Sequence, residues 1–428
     1  MASNARLLIH TSFNARATRI ARFMLYQSLL KNELDERLAD FVSFDRTWRE
    51  DVHDYARRLH LLDGRAAREV CEAVAAYKEP GALPSRELDA HGSMLIPFRE
   101  RWRTHEEARR WALKVLQERT TFAADGSQLL PGREISMPVA AVQVAWFENP
   151  HTRGGKYEKG ARFHLVTPRE LLEDYGERSS AETIVGLRRF MLETEALCKF
   201  LESKRNWQER GERTPVAFFD GSLLVSFGMP RTQIQSGYID AVLRLVKQSR
   251  DTRVPVIGFV DQSYARDLLA LLNLLDGRNR DTRPSSIYDA QLLRALMDNE
   301  RGAANAWGAR SSFCYCVREK LSDAFSDEEG KPLIGFTYLQ TTGEGAPARL
   351  DVPVWIYEAG LLDDVVDAVR AECISGLGYP YAIETADEAA VITARDRQIF
   401  LRAIQEFAER ENFAFRVSRK AASKMRRR

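Results

Sequence analysis

The sequence predicts an α/β fold in which helices flank a mixed β-sheet and an added helical region precedes it. Two observations support this prediction. Helical spacing of apolar residues dominates up to about residue 119, and strand-like patterns begin at residue 121. From there the predicted order is β-β-β-α-β-α-β-α, which combines a meander with alternating helices and strands.

The first 115 residues form the predicted helical region. Residues 14–77 show helical spacing with few breakers, and the connection KEPGALPS (78–85) separates them from a charged helix at about 95–119. The first 25 residues hold four arginines and no acid, a pattern also found in transit peptides. Because the apolar spacing continues through YQSLLKNELDERLADF, we interpret this segment as an amphipathic first helix.

The rest of the chain divides into a domain at 116–412 and a basic tail at 413–428. The domain is predicted to hold a polar insertion at about 276–310 and, beyond it, three further strands. Its longer helices are predicted at about 181–204, 361–374, 383–391 and 394–411. The tail ends in RVSRKAASKMRRR, with seven Lys or Arg and no acid, so it is either a solvated end or a phosphate-binding arm.

The overall composition excludes several classes of protein. The chain of 428 residues has a net charge of +2 and no apolar run long enough to cross a membrane. Its five cysteines are scattered, which argues against a disulfide framework and predicts a reducing, cytoplasmic location. The single close pair, Cys314 and Cys316, has no second pair to complete a zinc site.

The tripeptide Asp-Gly-Ser occurs twice inside an apolar run, in TFAADGSQLL (121–130) and in FFDGSLLVSF (218–227). An Asp-Gly pair often forms a tight turn. The apolar flanks favour instead a continuous strand, or a strand with a bulge at Gly221. Asp125 and Asp220 would then be carboxylates in a buried sheet, where an ionised group needs a partner or a metal ion.

The long predicted helix adds a third acid, Glu193. At 100° per residue, the side chains that share its face are nearly all apolar: Val185, Gly186, Phe190, Ala196, Leu197, Phe200 and Leu201. Glu195 points the other way, among charged residues, so Glu193 is predicted to face the sheet and Glu195 the solvent. Pairing of Glu193 with Arg189 in a purely structural role remains an alternative.

Further acids follow at the ends of later elements. Asp261 ends the predicted fifth strand, where α/β proteins place their sites, although it could equally cap the helix that starts near Tyr264. In GLGYPYAIETADEAAVI (376–392), Asp387 lies among small apolar residues of a late helix, and Tyr379 precedes that helix.

Asp125, Glu193, Asp220 and Asp387 therefore form a predicted set of four carboxylates from four different elements, each on an apolar face. Oxygen ligands of this kind suit Mn²⁺ or Mg²⁺. Two such ions can activate water and stabilise the leaving oxygen during phosphodiester hydrolysis.

The element order and these acids resemble the RNase H-like nuclease superfamily. The segments ADGSQ, RRFMLE, FFDGSL, GFVDQSYARDLL, PARLDVPVW and GYPYAIETADEAAVI resemble, in this order, the NurA nuclease family over about 115–410. The resemblance implies a manganese-dependent DNA nuclease that is typically homodimeric, works with a hexameric HerA-type ATPase and resects DNA ends in double-strand break repair.

The resemblance also assigns residues. It implies catalytic roles for Asp125, Glu193, Asp220 and Tyr379, with Asp387 in a position where many family members have histidine. All seven histidines of this chain lie at or before His164, so none can take that place. Asp387 is therefore expected to act as the fourth acidic ligand of two ions, either Mn²⁺ or Mg²⁺.

Several residues could contact DNA around this set. Arg189, Arg266 and Tyr264 have the chemistry for phosphate contact and base stacking, although each could be an ordinary surface or core residue. The leading prediction is a 5′–3′ exonuclease and single-strand endonuclease. The alternatives are a non-catalytic adaptor that binds DNA ends and a defence nuclease that acts on foreign DNA. A P-loop ATPase and a serine hydrolase are disfavoured, because neither signature is present.

Overall fold

The computed structural model describes residues 26–132, 135–172, 180–225, 233–277, 285–301, 306–318, 321 and 323–416. Up to residue 120 it contains α1 (Gln27–Glu36), α2 (Leu38–His60), α3 (Ala67–Ala73), β1 (Gly81–Pro84), α4 (Glu87–His91), β2 (Leu95–Ile96) and α5 (His105–Leu116). The prediction of a helix from about residue 95 was wrong at its start. Residues 95–96 pair as a strand, and the helix begins only after Thr104, whose side chain accepts a hydrogen bond from the backbone of Glu107.

The centre of the sheet begins with an antiparallel meander of β3 (Thr121–Leu129), β4 (Ala140–Asn149) and β5 (Glu158–Val166). After α6 (Pro168–Leu172) and α7 (Ala181–Ser203), β6 (Val216–Asp220) pairs parallel with β3. After α8 (Gln233–Thr252), β7 (Val256–Val260) pairs parallel with β6. The spatial order β5-β4-β3-β6-β7 is the RNase H-like arrangement, so the predicted fold class is confirmed.

The remaining elements extend this centre on the other side. They are α9 (Asp267–Leu275), α10 (Asp289–Arg301), β8 (Arg310–Ser311), β9 (Cys314–Val317), β10 (Ile334–Leu339), β11 (Ala348–Pro353), α11 (Val354–Glu358), α12 (Leu362–Ser375), α13 (Tyr381–Ala390) and α14 (Ala394–Arg410). The sheet continues from β7 through β11, β10 and β9 to β1. The region before residue 115 therefore supplies strands to the same sheet as well as helices.

Apolar side chains pack on both faces of the sheet. On one face, the ring of Phe122 in β3 stacks on Phe200 of α7, with ring centroids 4.4 Å apart. On the other face, Phe218 and Phe259 pack with residues of α12 and α13. This sandwich of helix, sheet and helix positions α7 and α13 on opposite sides of β3.

The second Asp-Gly-Ser segment departs from the prediction of a continuous strand. β6 ends at Asp220, and Gly221 turns the chain with a φ of +119°, a conformation that favours glycine. Leu223 and Leu224 are buried but lie outside the strand. Their burial explains why the apolar pattern continues past the strand end.

The predicted long helices are confirmed within one or two residues at each end. Residues 1–25, most of the basic tail and parts of the insertion lie outside the described residues, so those predictions stay predictions. None of the helices in the described ranges is long and apolar enough to cross a membrane.

Candidate active site

The two Asp-Gly-Ser aspartates lie side by side on neighbouring parallel strands, with Asp220 at the end of β6 and Asp125 in the middle of β3. Ala124 of β3 is in register with Phe219 of β6, so Asp125 and Asp220 follow one residue later on adjacent strands. Asp125 is half-buried and lies near Asp387 of α13, which raises its pKa, while Asp220 is exposed. The fold thus brings together three acids that are separated by up to 262 residues in the chain.

Glu193 reaches the same place from α7 on the opposite face of the sheet. Its residue is 8% exposed, and its Oε1 accepts no hydrogen bond, although Nε of Arg189 lies 3.5 Å away. Gly126 makes this approach possible, since a Cβ there would stand 2.5 Å from Oε1 of Glu193. The glycine after Asp125 therefore leaves room for a carboxylate, whereas the glycine after Asp220 makes a turn.

Glu195 points away from the sheet, as the helical spacing predicts. Its carboxylate forms ion pairs with Arg162 at 2.9 Å and with Lys199 at 3.0 Å, and these partners lower its pKa. The two glutamates of one helix thus lie in opposite environments.

The electrostatics show that the acids are close together. Burial, aided by the charges of Asp125 and Asp220 and opposed by Arg189, raises the pKa of Glu193 to about 8. Burial and the contact with Asp387 raise the pKa of Asp125 to about 6. Although the Asp220 residue is exposed, partial desolvation of its carboxyl raises its pKa, and the nearby Asp387 and Asp261 add to the rise. The site therefore favours protons, or other cations, over free carboxylates.

Tyr379 and Asp261 complete the surroundings of Asp220. The hydroxyl of Tyr379 donates a hydrogen bond of 2.7 Å to Oδ1 of Asp220, and its ring packs on Phe259. Burial and this bond raise the pKa of the tyrosine. Asp261 is exposed just beyond β7, and the prediction that it caps the following helix, α9, is wrong. The first backbone N–H groups of α9 donate instead to Asp289.

The predicted DNA-contacting residues lie in two places. Arg189 borders the carboxylates, and its guanidinium donates to the carbonyl of Gly126 at 3.2 Å. Tyr264 and Arg266 both pack on Tyr288, with Tyr264 70% exposed. The last two therefore form a small aromatic and cationic patch of their own.

Two observations indicate that these residues fit a divalent metal ion. Oε1 of Glu193 is buried and accepts no hydrogen bond, and Asp387 lies close enough to Asp125 to raise the pKa of its carboxyl, so a cation between them would relieve the repulsion. Within the described ranges, no three His, Cys, Asp or Glu side chains already stand at metal-ligand spacing. The expectation that all four acids lie on apolar faces was wrong for Asp220 and Asp387, which are exposed where a substrate can reach them.

Sequence reasoning assigned no role to Asp351. This buried residue of β11 accepts a hydrogen bond of 2.5 Å from the hydroxyl of Ser222, directly after Asp220 and Gly221. The available signal was the one that marked the other acids, a charge inside an apolar strand, ARLDVPVW. Its partner lies 129 residues away in the sequence and so could not be identified.

A family profile for the NurA domain matches residues 119–392, more than half of the chain. The chain belongs to the NurA family. It is accordingly a nuclease, and the match spans every acid of the set described above. None of the curated proteins with which the chain was compared matches it.

Solved structures of endonuclease V resemble this NurA protein distantly. The Bacillus subtilis enzyme is 10% identical, with a TM-score of 0.30, over 72% of this chain and 92% of that one. The human catalytic domain is 12% identical, with a TM-score of 0.28, over 75% and 95%. The Ciona intestinalis enzyme, solved with inosine-containing DNA, is 10% identical, with a TM-score of 0.27, over 67% and 94%. Scores this low add nothing to the assignment, which rests on the family profile and the strand order.

Proposed function

We propose that this NurA protein is a DNA nuclease that depends on Mn²⁺ or Mg²⁺ and uses Asp125, Glu193, Asp220 and Asp387 to hold two ions. One observation carries the proposal. Four carboxylates from β3, β6, α7 and α13 converge at one sheet end, and one of them presents a buried oxygen without a donor. Bound ions of this type would activate a water and stabilise the leaving oxygen of a phosphodiester.

The neighbouring residues have supporting tasks in this proposal. Tyr379 orients the Asp220 carboxylate through its hydrogen bond and leaves the other carboxylate oxygen free to bind a cation. Arg189 brings positive charge to the edge of the site, where a DNA phosphate would arrive. Asp261 adds negative charge beside Asp220, which strengthens the attraction for cations.

The type of cleavage, the biological role and the partners are proposed from the resemblance to the NurA family. We propose 5′–3′ exonuclease and single-strand endonuclease activity in DNA end resection and double-strand break repair, in the cytoplasm. A hexameric HerA-type ATPase is the proposed partner, and the protein is proposed to be a homodimer. A role as a defence nuclease against foreign DNA would use the same site.

The helices α1 and α2 offer a surface for these assemblies. Their large apolar side chains are 43–72% exposed between residues 26 and 44: Tyr26, Leu29, Leu30, Leu34, Leu38, Phe41, Val42 and Phe44. Apolar surface of this extent is typical of protein interfaces. Replacement of Leu34 and Phe41 by serine should weaken assembly in light scattering with and without the ATPase, and it should leave the melting temperature of the chain unchanged.

A non-catalytic adaptor that binds DNA ends is the second candidate. It is favoured by the lack of a preformed ligand cluster in the described residues. Cleavage of labelled single-stranded and blunt duplex DNA, with Mn²⁺, Mg²⁺ or EDTA, distinguishes the two. Metal-dependent cleavage by the wild type that is lost in Asp220→Ala supports the nuclease site. DNA binding without cleavage, also after addition of the ATPase, would establish the adaptor.

A further inference from the structure

Asp351 anchors the turn that follows Asp220. Its Oδ2 accepts a hydrogen bond of 2.5 Å from the hydroxyl of Ser222 and another of 3.1 Å from the backbone N–H of Leu223. The aspartate is fully buried in β11, two strands away from β6. A side chain from a distant strand thus holds the two residues that come second and third after a proposed metal ligand.

The turn is also held by the neighbouring strand β7. The N–H of Gly221 donates to the carbonyl of Phe259 at 2.9 Å. Gly258 leaves space for the turn, because a Cβ there would lie 2.8 Å from the carbonyl oxygen of Gly221. The path of the chain after Asp220 is therefore defined by the backbone of β7 on one side and by Asp351 on the other.

Asp351 is itself held in place by Arg349. Its Oδ1 accepts a hydrogen bond of 2.7 Å from Nε of Arg349, and this arginine also bonds Asp267 at 2.7 Å. The guanidinium lies 4.0 Å from the centre of the Phe336 ring. A buried carboxylate with this many donors holds its position rigidly, since any displacement would leave charges unpaired.

The other Asp-Gly-Ser segment has no comparable anchor. β3 continues for four residues beyond Asp125, so the sheet itself holds that aspartate on both sides. Among the described residues, the hydroxyl of Ser127 accepts a single long bond, of 3.4 Å, from the N–H of Ile392. β6 stops at Asp220, so on the carboxyl side of this aspartate the bond from Gly221 to Phe259 takes the place of a continued strand.

We propose that Asp351, acting through Ser222, is a positioning residue that aims the carboxylate of Asp220 at the metal site. This inference rests on the proposed metal-dependent nuclease function. Asp351 makes no contact with the proposed ions. It sets the geometry of the residue that does, and its loss should weaken metal binding more than the cleavage step at saturating metal.

The test uses full-length Ser222→Ala, with Ser127→Ala as the matched control from the other tripeptide. Mn²⁺ binding is followed by electron paramagnetic resonance, and single-strand cleavage is measured against Mn²⁺ concentration. Ser222→Ala should raise the half-saturating Mn²⁺ concentration about tenfold, the effect expected for the loss of one hydrogen bond to a charged group. Ser127→Ala should resemble the wild type, and Ser222→Thr, which keeps the hydroxyl, should restore binding.

Equal Mn²⁺ curves for Ser222→Ala and Ser127→Ala would overturn the positioning role. So would an Asp351→Asn protein that melts at a lower temperature but keeps the wild-type Mn²⁺ curve, because Asp351 would then be only structural. A wild type that binds Mn²⁺ but does not cut DNA, even with the ATPase added, removes the proposed nuclease function but leaves the binding comparison decisive. A wild type that neither binds nor cuts overturns both proposals.

Discussion

At the scale of single residues, the carboxylates of the site are held in a state that disfavours their own charge. Glu193 is buried beside Asp125 and Asp220, and the nearby Asp387 raises the pKa of Asp125. A cation relieves both conditions, because it offsets the repulsion between the carboxylates and the cost of burial. Without metal, the stability of the folded chain should therefore change with pH and with the removal of any one of these carboxylates.

Asp125→Ala and Asp220→Ala should each abolish nuclease activity and leave the fold intact. Removal of one carboxylate from a cluster of acids relieves repulsion, so metal-free stability should stay equal or rise. Cleavage assays and thermal unfolding in EDTA measure the two effects. A variant that unfolds would instead identify the aspartate as structural.

Glu193→Ala and Glu195→Ala form a matched pair on one helix. Only Glu193 reaches the site, so its loss should abolish cleavage, whereas Glu195→Ala removes exposed ion pairs worth less than about 1 kcal/mol and should cut like the wild type. An active Glu193→Ala beside an inactive Glu195→Ala would refute the assignment.

The pKa of Glu193 predicts how metal-free stability changes with pH. Its carboxyl titrates near 4.5 when unfolded and at about 8 when folded, so the folded chain holds more protons between these values. Stability should therefore fall as pH rises through this window. Asp125 and Asp289, with pKa values raised to about 6 and about 7, act in the same direction.

Glu193→Gln isolates the contribution of Glu193. In this variant, stability should fall less steeply as pH rises. The difference from the wild type should be on the order of a few kcal/mol between about pH 5 and about pH 8. Melting temperatures in EDTA across this range compare it with the wild type. Parallel curves for the two proteins would show that Glu193 is not protonated in the folded state.

At the scale of elements, close approaches of the backbone decide where the site residues meet. α7 lies against β3 at Gly126, where the missing side chain admits Glu193 and Arg189. α9 begins against Asp289, whose carboxyl accepts three successive backbone N–H groups. Each contact joins elements that are distant in the sequence, and each depends on one residue type.

Gly126→Ala should disrupt the site through α7. The added methyl would meet Oε1 of Glu193 at 2.5 Å and Cγ of Arg189 at 2.7 Å, so the helix or the glutamate must move. We expect cleavage to fall at least tenfold, since misplaced catalytic groups lose most of their effect. Gly343→Ala is the control, because open space surrounds that position. Equal activity of the two variants would exclude a tight contact at Gly126.

Asp289→Ala should destabilise the chain by about 3 kcal/mol or more, because it leaves buried N–H groups at the start of α9 without an acceptor. Asp298→Ala, which removes an exposed pair with Arg294, should change stability by less than about 1 kcal/mol. Urea unfolding compares the two proteins. A small effect at Asp289 would mean that water replaces its carboxyl.

At the scale of the whole molecule, one sheet links the family domain to the region before it. β1 pairs with β9 and β2 pairs with β8, so the segment before residue 115 is built into the sheet that carries the site. The helical α1 and the first half of α2 instead remain exposed. The molecule thus joins the proposed catalytic centre in the middle of the sheet to an exposed apolar surface.

Features that depend on residues close together in the sequence could be predicted, whereas features that depend on distant residues could not. Helical spacing placed Glu193 toward the sheet and Glu195 away from it, because the period of a helix is a local property. The order of strands predicted the RNase H-like sheet. The same reasoning overextended β6, since buried leucines outside a strand have the same pattern as leucines inside one.

The sequence by itself determined the order and type of the main elements and singled out the four proposed site acids, because periodicity and charges within apolar runs are visible in short segments. Only the tertiary structure decided that β6 ends at Asp220, that Asp351 holds the turn beyond it, and that β1 and β2 join the sheet. These features depend on partners more than 100 residues away, and pairing at that distance is set by how the whole chain packs.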